Sequence, residues 1–299
     1  MLNRSHTSIS YEIKKGSVKG VYNPKKANLK AYSRRYYSNF RGSKIVGNPK
    51  LREFVESGLI DEQSPEAISG RVKYHESYLP NVSKNTIYAF LDSPYGKLIR
   101  EKRKKRKYRK KGQKVKKLKD RVFIDKRPKI VQERDRVGDC EGDFIVSGRN
   151  GRGHLLVVVE RKTRVAFIEQ ILDVTVDNVH EAFMNIKKRF PEMKTLTLDN
   201  DLLFKMHKVL ETLLAVPLYF CHPYHSWEKG SVENTNKYIR KFIPKGSDIS
   251  LYDKEEIEAV EEKCNGRFMK VLKYATPLEK LEKYYLRIKK QHECAGGEG

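Results

Sequence analysis

The fold of the second half of this chain follows from residues 143–171, which read D-F-I-V-S-G-R-N-G-R-G-H-L-L-V-V-V-E-R-K-T-R-V-A-F-I-E-Q-I. Three apolar runs, 143–147, 154–160 and 164–171, are separated by short polar turns. The first turn contains three glycines, which is typical of a β-hairpin, and the second contains K-T-R. We therefore predict three consecutive strands that meander through one sheet.

The sequence beyond residue 171 alternates between helix and strand patterns. Val179, Phe183 and Ile186 recur at helical spacing, and Asp177 is expected to cap this helix. The later elements are a fourth strand at 195–199, a second helix at 203–214, a fifth strand at 216–221 and a final helix. This order predicts an α/β fold, a mixed five-stranded sheet with helices on its faces and the fourth strand beside the first.

Three acids occupy informative places in this order: Asp143, Asp199 and Glu233. In the sequence 55 residues lie between the first two, and 33 lie between the last two. Asp143 is expected to enter the first strand, Asp199 to end the fourth, and Glu233 to lie on the helix after the fifth. Carboxylates so placed can hold two Mg²⁺ or Mn²⁺ ions over a phosphodiester, with Asp143 bridging both.

The helix that carries Glu233 adds polar groups to the same face. Asn236, Lys237 and Arg240 follow it at helical spacing, and we predict that they, with Lys229, contact DNA phosphates. Other acids compete for the metal, and Glu141 would share a strand face with Asp143. The remaining competitors are Asp139, Asp173, Asp177 and Asp201.

The segment C-H-P-Y-H-S-W at 221–227 permits a second metal hypothesis. Cys221, His222 and His225 are zinc-type ligands, but no fourth ligand is evident at an ordinary spacing. The alternative is a turn that aims the Glu233 helix, with Tyr224 and Trp227 packing in the turn or stacking on a base. We favour the turn.

Composition points to a polyanionic partner. The formal net charge is +25, the isoelectric point is near 9.7, and residues 100–119 contain 14 Lys or Arg. Such a chain favours nucleic acid over a membrane, and if the partner is double-stranded DNA we expect Arg103, Lys104, Lys105 and Arg106 to follow its backbone. Because no apolar run spans a bilayer and no signal segment or C-x-x-C motif occurs, we expect a cytoplasmic, nucleoid-associated protein with no membrane partner.

The first half of the chain is predicted to be helical. Ser64 and Ser83 are expected to cap two short helices, the first with Pro65 at its first position. A helix-turn-helix would place Lys84 and Asn85, at the start of its second helix, against DNA.

These motifs resemble the IS-thirty family of bacterial insertion-sequence transposases. The similarity covers about residues 120–283 and is carried by E-G-D-F-I-V-S-G (141–148), L-V-V-V-E-R-K-T-R (156–164), T-L-D-N (197–200) and the block 219–250. The resemblance implies a ribonuclease H-like integrase core in which Asp143, Asp199 and Glu233 are the catalytic metal ligands. It also implies a homo-oligomer on DNA and no small-molecule cofactor.

The resemblance sets the expected domains and function. The opening residues resemble the end of the family's first helix-turn-helix, so the chain is expected to begin inside that domain. We expect metal-dependent cleavage at element ends and transfer of the 3′-OH into target DNA; the alternatives are an inactive DNA-binding relative and a nuclease that cuts without joining. The expected boundaries are an N-terminal basic arm (1–49), a second helix-turn-helix (50–92), a polybasic linker (93–130), the core with C-terminal helices (131–285) and a disordered tail (286–299).

Overall fold

The computed structural model of the protein describes residues 4–41, 44–103, 121–199, 204, 206–222 and 226–295. The chain divides into two units, Met1–Lys105 and Arg106–Gly299. Of the residues discussed above, Lys104, Lys105, Arg106, Asp201, Tyr224 and His225 lie outside the described residues, as does the Trp227 side chain. Within the described part, no helix is long and apolar enough to cross a membrane.

The first unit is built from helices. They are α1 (His6–Gly16), α2 (Pro24–Arg41), α3 (Pro49–Ile60), α4 (Pro65–Tyr74), α5 (Lys84–Asp92) and α6 (Lys97–Lys102). Helices α3, α4 and α5 share a small core in which Leu51, Ile68 and Ile87 are fully buried. Because Ile45 also packs into this core, the helical unit begins before the expected boundary at residue 50.

The two predicted serine caps are confirmed. Ser64 Oγ accepts a hydrogen bond from the Ala67 amide, and Ser83 Oγ accepts one from the Thr86 amide, both at 3.1 Å. The connection between α4 and α5 spans residues 75–83, which is longer than the three- or four-residue turn of a simple helix-turn-helix. The helix-turn-helix therefore stays a prediction.

The second unit contains the predicted five-stranded sheet. Its strands are β1 (Asp139–Val146), β2 (His154–Glu160), β3 (Ala166–Ile171), β4 (Thr195–Leu198) and β5 (Leu218–Phe220), in the order β3-β2-β1-β4-β5. The first three strands are antiparallel, and β1, β4 and β5 run parallel. Its helices are α7 (Lys129–Glu133), α8 (Val176–Arg189), α9 (His207–Leu214), α10 (Gly230–Ile239), α11 (Lys254–Asn265) and α12 (Pro277–Ala295). The α/β fold class predicted from the sequence, a mixed five-stranded sheet with helices on its faces and the fourth strand beside the first, is confirmed.

Helices cover both faces of this sheet. Side chains of α8, α9 and α12 pack on one face, and side chains of α10 and α11 pack on the other. Strand β2 is apolar throughout residues 155–159 because its side chains alternate between two buried faces. On β1 the same alternation directs Cys140 toward α8, and Glu141 and Ile145 toward α10.

The structure differs from the sequence expectations at several element ends. Thr175, not Asp177, caps α8, because Thr175 Oγ1 accepts from the Asn178 amide at 3.2 Å. Asp177 lies inside the first turn instead. Helix α9 begins at His207 rather than near residue 203.

Two domain boundaries also differ. Helix α12 continues to Ala295, through most of the expected tail, because residues 277–295 keep an amphipathic helical pattern. Phe123, inside the expected linker, forms a parallel bridge with Phe220 and so extends the sheet beyond β5.

Candidate active site

Asp143 lies in the middle of β1 and opposite Val157 of β2. The expectation that it enters the strand is wrong, because β1 begins four residues earlier, at Asp139, where it pairs with β4. The carboxylate faces α10 and is 27% exposed. Its place on the central strand of a buried sheet gives Asp143 a fixed backbone.

Asp199 directly follows β4, as predicted. The parallel register pairs Glu141 of β1 with Thr197 of β4. Two residues further along each strand, Asp143 and Asp199 are therefore neighbours on the same face of the sheet. Asp199 is 55% exposed. The sheet therefore brings one half-buried and one exposed carboxylate together.

A lysine ammonium joins these two carboxylates. Lys229 Nζ lies 3.2 Å from Asp143 Oδ1 and 3.3 Å from Asp199 Oδ2, and its side chain is only 4% exposed. Burial raises the pKa of Asp143, and the charge of Lys229 partly offsets that rise. Burial lowers the pKa of Lys229, but the charges of Asp143 and Asp199 outweigh it and raise that pKa above its usual value. The ammonium is therefore protonated at neutral pH.

Helix α10 supplies the remaining polar groups. Asn236 donates through Nδ2 to Asp143 Oδ2 at 2.8 Å, and Asn236 Oδ1 is buried without a hydrogen-bond partner among the described residues. Glu233 lies one turn earlier on the same helical face and is 33% exposed. Its carboxylate lies 3.8 Å from Lys237 Nζ, which is 73% exposed. Glu233 thus borders the Asp143 site from the helix side.

Arg240 closes the C-terminal end of α10. Its guanidinium donates to the carbonyls of Val146 at 3.0 Å and Pro244 at 3.3 Å. The Val146 contact holds the end of the helix against the end of β1, and the Pro244 contact is made to the segment that follows α10. Arg240, which is predicted to contact a DNA phosphate, thus also contacts two backbone carbonyls.

Glu141 anchors the start of the same helix. Its fully buried carboxylate accepts hydrogen bonds from the amides of Ser231 and Val232 at 3.0 and 3.2 Å, and from Arg161 Nε at 2.8 Å. Arg161 also donates to the Val131 carbonyl. A carboxylate at a helix N-terminus is favoured by unpaired amides and by the helix dipole. The competing acid Glu141 thus positions α10, a role that its alternation with Asp143 alone did not reveal.

The other competing acids have local partners. Asp139 is buried between Arg136 and Thr195, at 3.0 and 2.8 Å, and exposed Asp173 lies 3.4 Å from Arg152. Neither contacts the Asp143 carboxylate in the described structure.

The turn between β5 and α10 holds an imidazole between two carboxylates. His222 Nε2 lies 2.8 Å from Asp125 Oδ2, and His222 Nδ1 lies 3.0 Å from Glu228 Oε1. The ring stacks on Phe123 with 5.1 Å between centroids. The hydrogen bond to Glu228 raises the pKa of His222, and the charge of Asp125 adds to the rise. Burial raises the pKa of the neighbouring Cys221 thiol to about 12.

These contacts favour the turn over the zinc site. His222 is engaged by carboxylates through both ring nitrogens, and burial disfavours the Cys221 thiolate. Zinc binding would need the thiolate and a free imidazole nitrogen. The His222–Glu228 contact ties residue 222 to the segment just before α10.

The donor chemistry of the site suits a hard divalent cation. Two carboxylates converge on one cationic nitrogen, and a buried amide oxygen beside them lacks a partner. Oxygen donors of this kind are those that Mg²⁺ prefers. Among the described residues, however, no group of three or more His, Cys, Asp or Glu side chains is close enough to hold one ion. Asp143 and Asp199 are therefore placed to share a metal ion. The Glu233 carboxylate lies beside Lys237 instead.

The residues of the first unit that are predicted to contact DNA differ in their exposure to solvent. Lys84 and Asn85 are exposed at the start of α5, where Lys84 Nζ lies 4.0 Å from Glu66. Arg103 instead donates to the carbonyls of Leu59 and Gln63 and is 19% exposed. Lys84 and Asn85 are therefore accessible at the N-terminus of α5, whereas the Arg103 guanidinium contacts backbone carbonyls.

Known proteins provide independent comparisons. The chain is 34% identical over 271 residues to the transposase for insertion sequence element IS4351 of Bacteroides fragilis, covering 88% of this chain and 81% of that protein. It is 32% identical over 252 residues to the transposase for IS1086 of Cupriavidus metallidurans, covering 80% and 74%. It is 28% identical to transposase InsI for IS30A of Escherichia coli, covering 94% and 77%.

Two further comparisons concern protein families and solved structures. No protein-family model matches the chain. Among solved structures, the catalytic core domain of BIV integrase is similar with a TM-score of 0.39 and 17% identity, over 50% of this chain and 97% of that one.

Proposed function

The chain belongs to the IS-thirty family of bacterial insertion-sequence transposases, and from this premise we propose that it cuts DNA at the ends of an insertion sequence and joins the 3′-OH to target DNA. The observation that carries the proposal is the convergence of Asp143 and Asp199 on one cation, at 3.2 and 3.3 Å. Two carboxylates that stabilise a buried positive charge are also suited to a divalent ion.

We propose that Asp143, Asp199 and Glu233 hold Mg²⁺ or Mn²⁺, with two ions in the complete site. When bound, such ions polarise the phosphodiester and stabilise charge on the attacking and leaving oxygens. Asp143 would supply a carboxylate to this metal site from a backbone position fixed in β1. Asn236 would keep the Asp143 carboxylate in one rotamer through its 2.8 Å hydrogen bond.

Glu233 would complete the set by a change of its rotamer, because α10 itself is tied to β1. Its present partner, Lys237, is 73% exposed at 3.8 Å, and an exposed ion pair of this length is weak. Lys237 would then be available to a DNA phosphate, joined by the N–H groups of Arg240 that do not donate to carbonyls. These assignments place the phosphate contacts along the exposed side of α10.

DNA binding would draw on the wider charge of the chain. The net charge of +25 and the run of 14 basic residues at 100–119 suit a polyanion, and binding should weaken steeply with salt because counterions are released. Lys84 and Asn85, exposed at the start of α5, are the proposed contacts of the first unit, together with Arg103 and residues 104–106.

The test is a cleavage and strand-transfer assay on DNA that carries the ends of the element, with Mg²⁺ or Mn²⁺. Wild type should nick the ends and join them, and Glu233→Gln should reduce both steps by at least about 100-fold, the loss of a few kcal/mol of transition-state stabilisation. Glu258→Gln is the matched control because Glu258 is exposed on α11 and pairs with Lys254.

Two results would contradict the proposal. Wild-type protein that binds the ends but never nicks them would identify an inactive DNA-binding relative. Ends that are nicked but never joined would identify a nuclease.

A further inference from the structure

Lys229 lies between Asp143 and Asp199 because its backbone is fixed at the start of α10. Lys229 immediately precedes α10 as its N-cap residue, and the next residues of the helix are fixed by Glu141 through the amides of Ser231 and Val232. Its side chain is 4% exposed. The ammonium is therefore built into the site and is not a surface lysine that has folded over it.

Charge balance explains why a buried cation is favoured at this place. Asp143 and Asp199 bring two negative charges close together, and one of them sits on a side chain that is 27% exposed. Like charges at this spacing repel, and burial adds a desolvation cost for Asp143. One ammonium within 3.3 Å of both carboxylates relieves that repulsion. Lys229 thereby stabilises the pair of carboxylates.

A divalent ion would need the same place. A metal that binds both carboxylates must approach the oxygens that Lys229 now contacts, and two cations at such distances repel strongly. The flexible four-carbon stem of a lysine allows its ammonium to move away while its backbone stays fixed. Metal binding and the present contacts of Lys229 are therefore mutually exclusive.

We propose that Lys229 is a resident counter-ion that holds Asp143 and Asp199 together in the metal-free protein and is displaced when the pair binds its metal. This inference rests on the proposed function, because it assumes that these carboxylates are metal ligands. Lys229 is a positioning residue in this role. The metal-free site would be preorganised, at the cost of a weaker affinity for the first ion.

The experiment compares full-length wild type with Lys229→Met by two measurements. In EDTA, thermal unfolding of Lys229→Met should occur about 2–4 °C lower, because the carboxylates lose their counter-charge. Calorimetric titration with Mn²⁺ should show binding about tenfold tighter than in wild type, because no cation competes, and Mn²⁺ should raise the unfolding midpoint of the variant more than that of wild type. Lys254→Met removes an exposed lysine of α11 and should change neither measurement.

The possible results separate this inference from the function on which it rests. If wild type binds Mn²⁺ and Asp143→Asn abolishes binding, but Lys229→Met binds no tighter, the counter-ion role is overturned and the metal site stands. If neither wild type nor Lys229→Met binds Mn²⁺, the metal site and the counter-ion role both fail.

A second variant covers the case in which Lys229→Met does not fold. Lys229→Arg keeps the charge, so it should keep the wild-type midpoint in EDTA and bind Mn²⁺ no tighter than wild type. Tighter binding by Lys229→Arg would overturn the proposal.

Discussion

Asn236 of α10 donates its side-chain amide to Asp143 of β1 at 2.8 Å, with 92 residues between them in the sequence. This contact joins the helix that carries Glu233 to the strand that carries the central acid. Because Asn236 and Glu233 share a helical face, the orientation of Asp143 and the approach of Glu233 depend on the same helix.

The first prediction concerns this contact. Asn236→Ala should lower the free energy of unfolding by only about 1 kcal/mol, the usual value of one hydrogen bond. It should slow cleavage by at least about tenfold, because Asp143 loses its fixed rotamer. Cleavage kinetics and urea denaturation give the two values. Asn178→Ala, at an exposed asparagine of α8, is the control, and equal effects of both variants on cleavage would contradict the prediction.

The second prediction concerns the anchor of α10. Glu141→Gln leaves buried Arg161 without its carboxylate, and breaking a buried ion pair costs about 3–5 kcal/mol. The loss should appear as a lower midpoint in urea denaturation. Glu258→Gln, at an exposed acid, should change the stability by less than about 0.5 kcal/mol. If Glu141→Gln lowers the free energy of unfolding by less than about 1 kcal/mol, the Glu141–Arg161 pair contributes little to stability.

The third prediction concerns pH. The hydrogen bond to Glu228 and the charge of Asp125 raise the pKa of His222, so its contribution to stability is complete below the unfolded-state pKa of about 6.5 and is lost as pH rises through the folded-state pKa. The unfolding midpoint of wild type should therefore fall relative to that of His222→Asn as pH increases above about 6.5.

His180 provides a control of opposite sign. Burial lowers the pKa of His180, so its contribution is complete above about pH 6.5 and is lost as pH falls toward the lower folded-state pKa. The midpoint of wild type relative to His180→Asn should decrease on acidification. The same pH trend in both variants would contradict the assignment for His222.

The fourth prediction separates the turn from a zinc site. Burial raises the pKa of Cys221 and of Cys264 to about 12, so neither thiol should react with iodoacetamide at about pH 8 in the folded protein, whereas both should react after denaturation. Mass spectrometry identifies the modified residues. Cys221→Ser should retain metal-dependent cleavage, and loss of bound zinc together with activity would favour the zinc hypothesis.

Much of the fold could be predicted from local patterns. The apolar runs of β1, β2 and β3 and the period of Val179, Phe183 and Ile186 follow from burial on one or two faces. The parallel placement of β4 beside β1 followed from the order of elements, and it put Asp143 next to Asp199. These features depend on short-range periodicity and on general rules of connection.

The remaining features depend on contacts between distant residues. Lys229 was predicted to contact phosphates, but the structure turns its side chain inward between two acids that lie 86 and 30 positions away in the sequence. The sequence presents Glu141 as a competing metal ligand, whereas in the structure its carboxylate accepts from the first amides of α10. Charge type and spacing do not reveal which acid caps a helix and which remains open to a ligand.

The most direct measurement for the central claim is the location of manganese by anomalous scattering in crystals of the full chain grown with Mn²⁺ and element-end DNA. We predict manganese bound by the carboxylates of Asp143, Asp199 and Glu233, with the Lys229 ammonium moved away from the Asp143 and Asp199 oxygens. Manganese bound elsewhere in a complex that still cleaves its DNA, with Lys229 unmoved between Asp143 and Asp199, would contradict it.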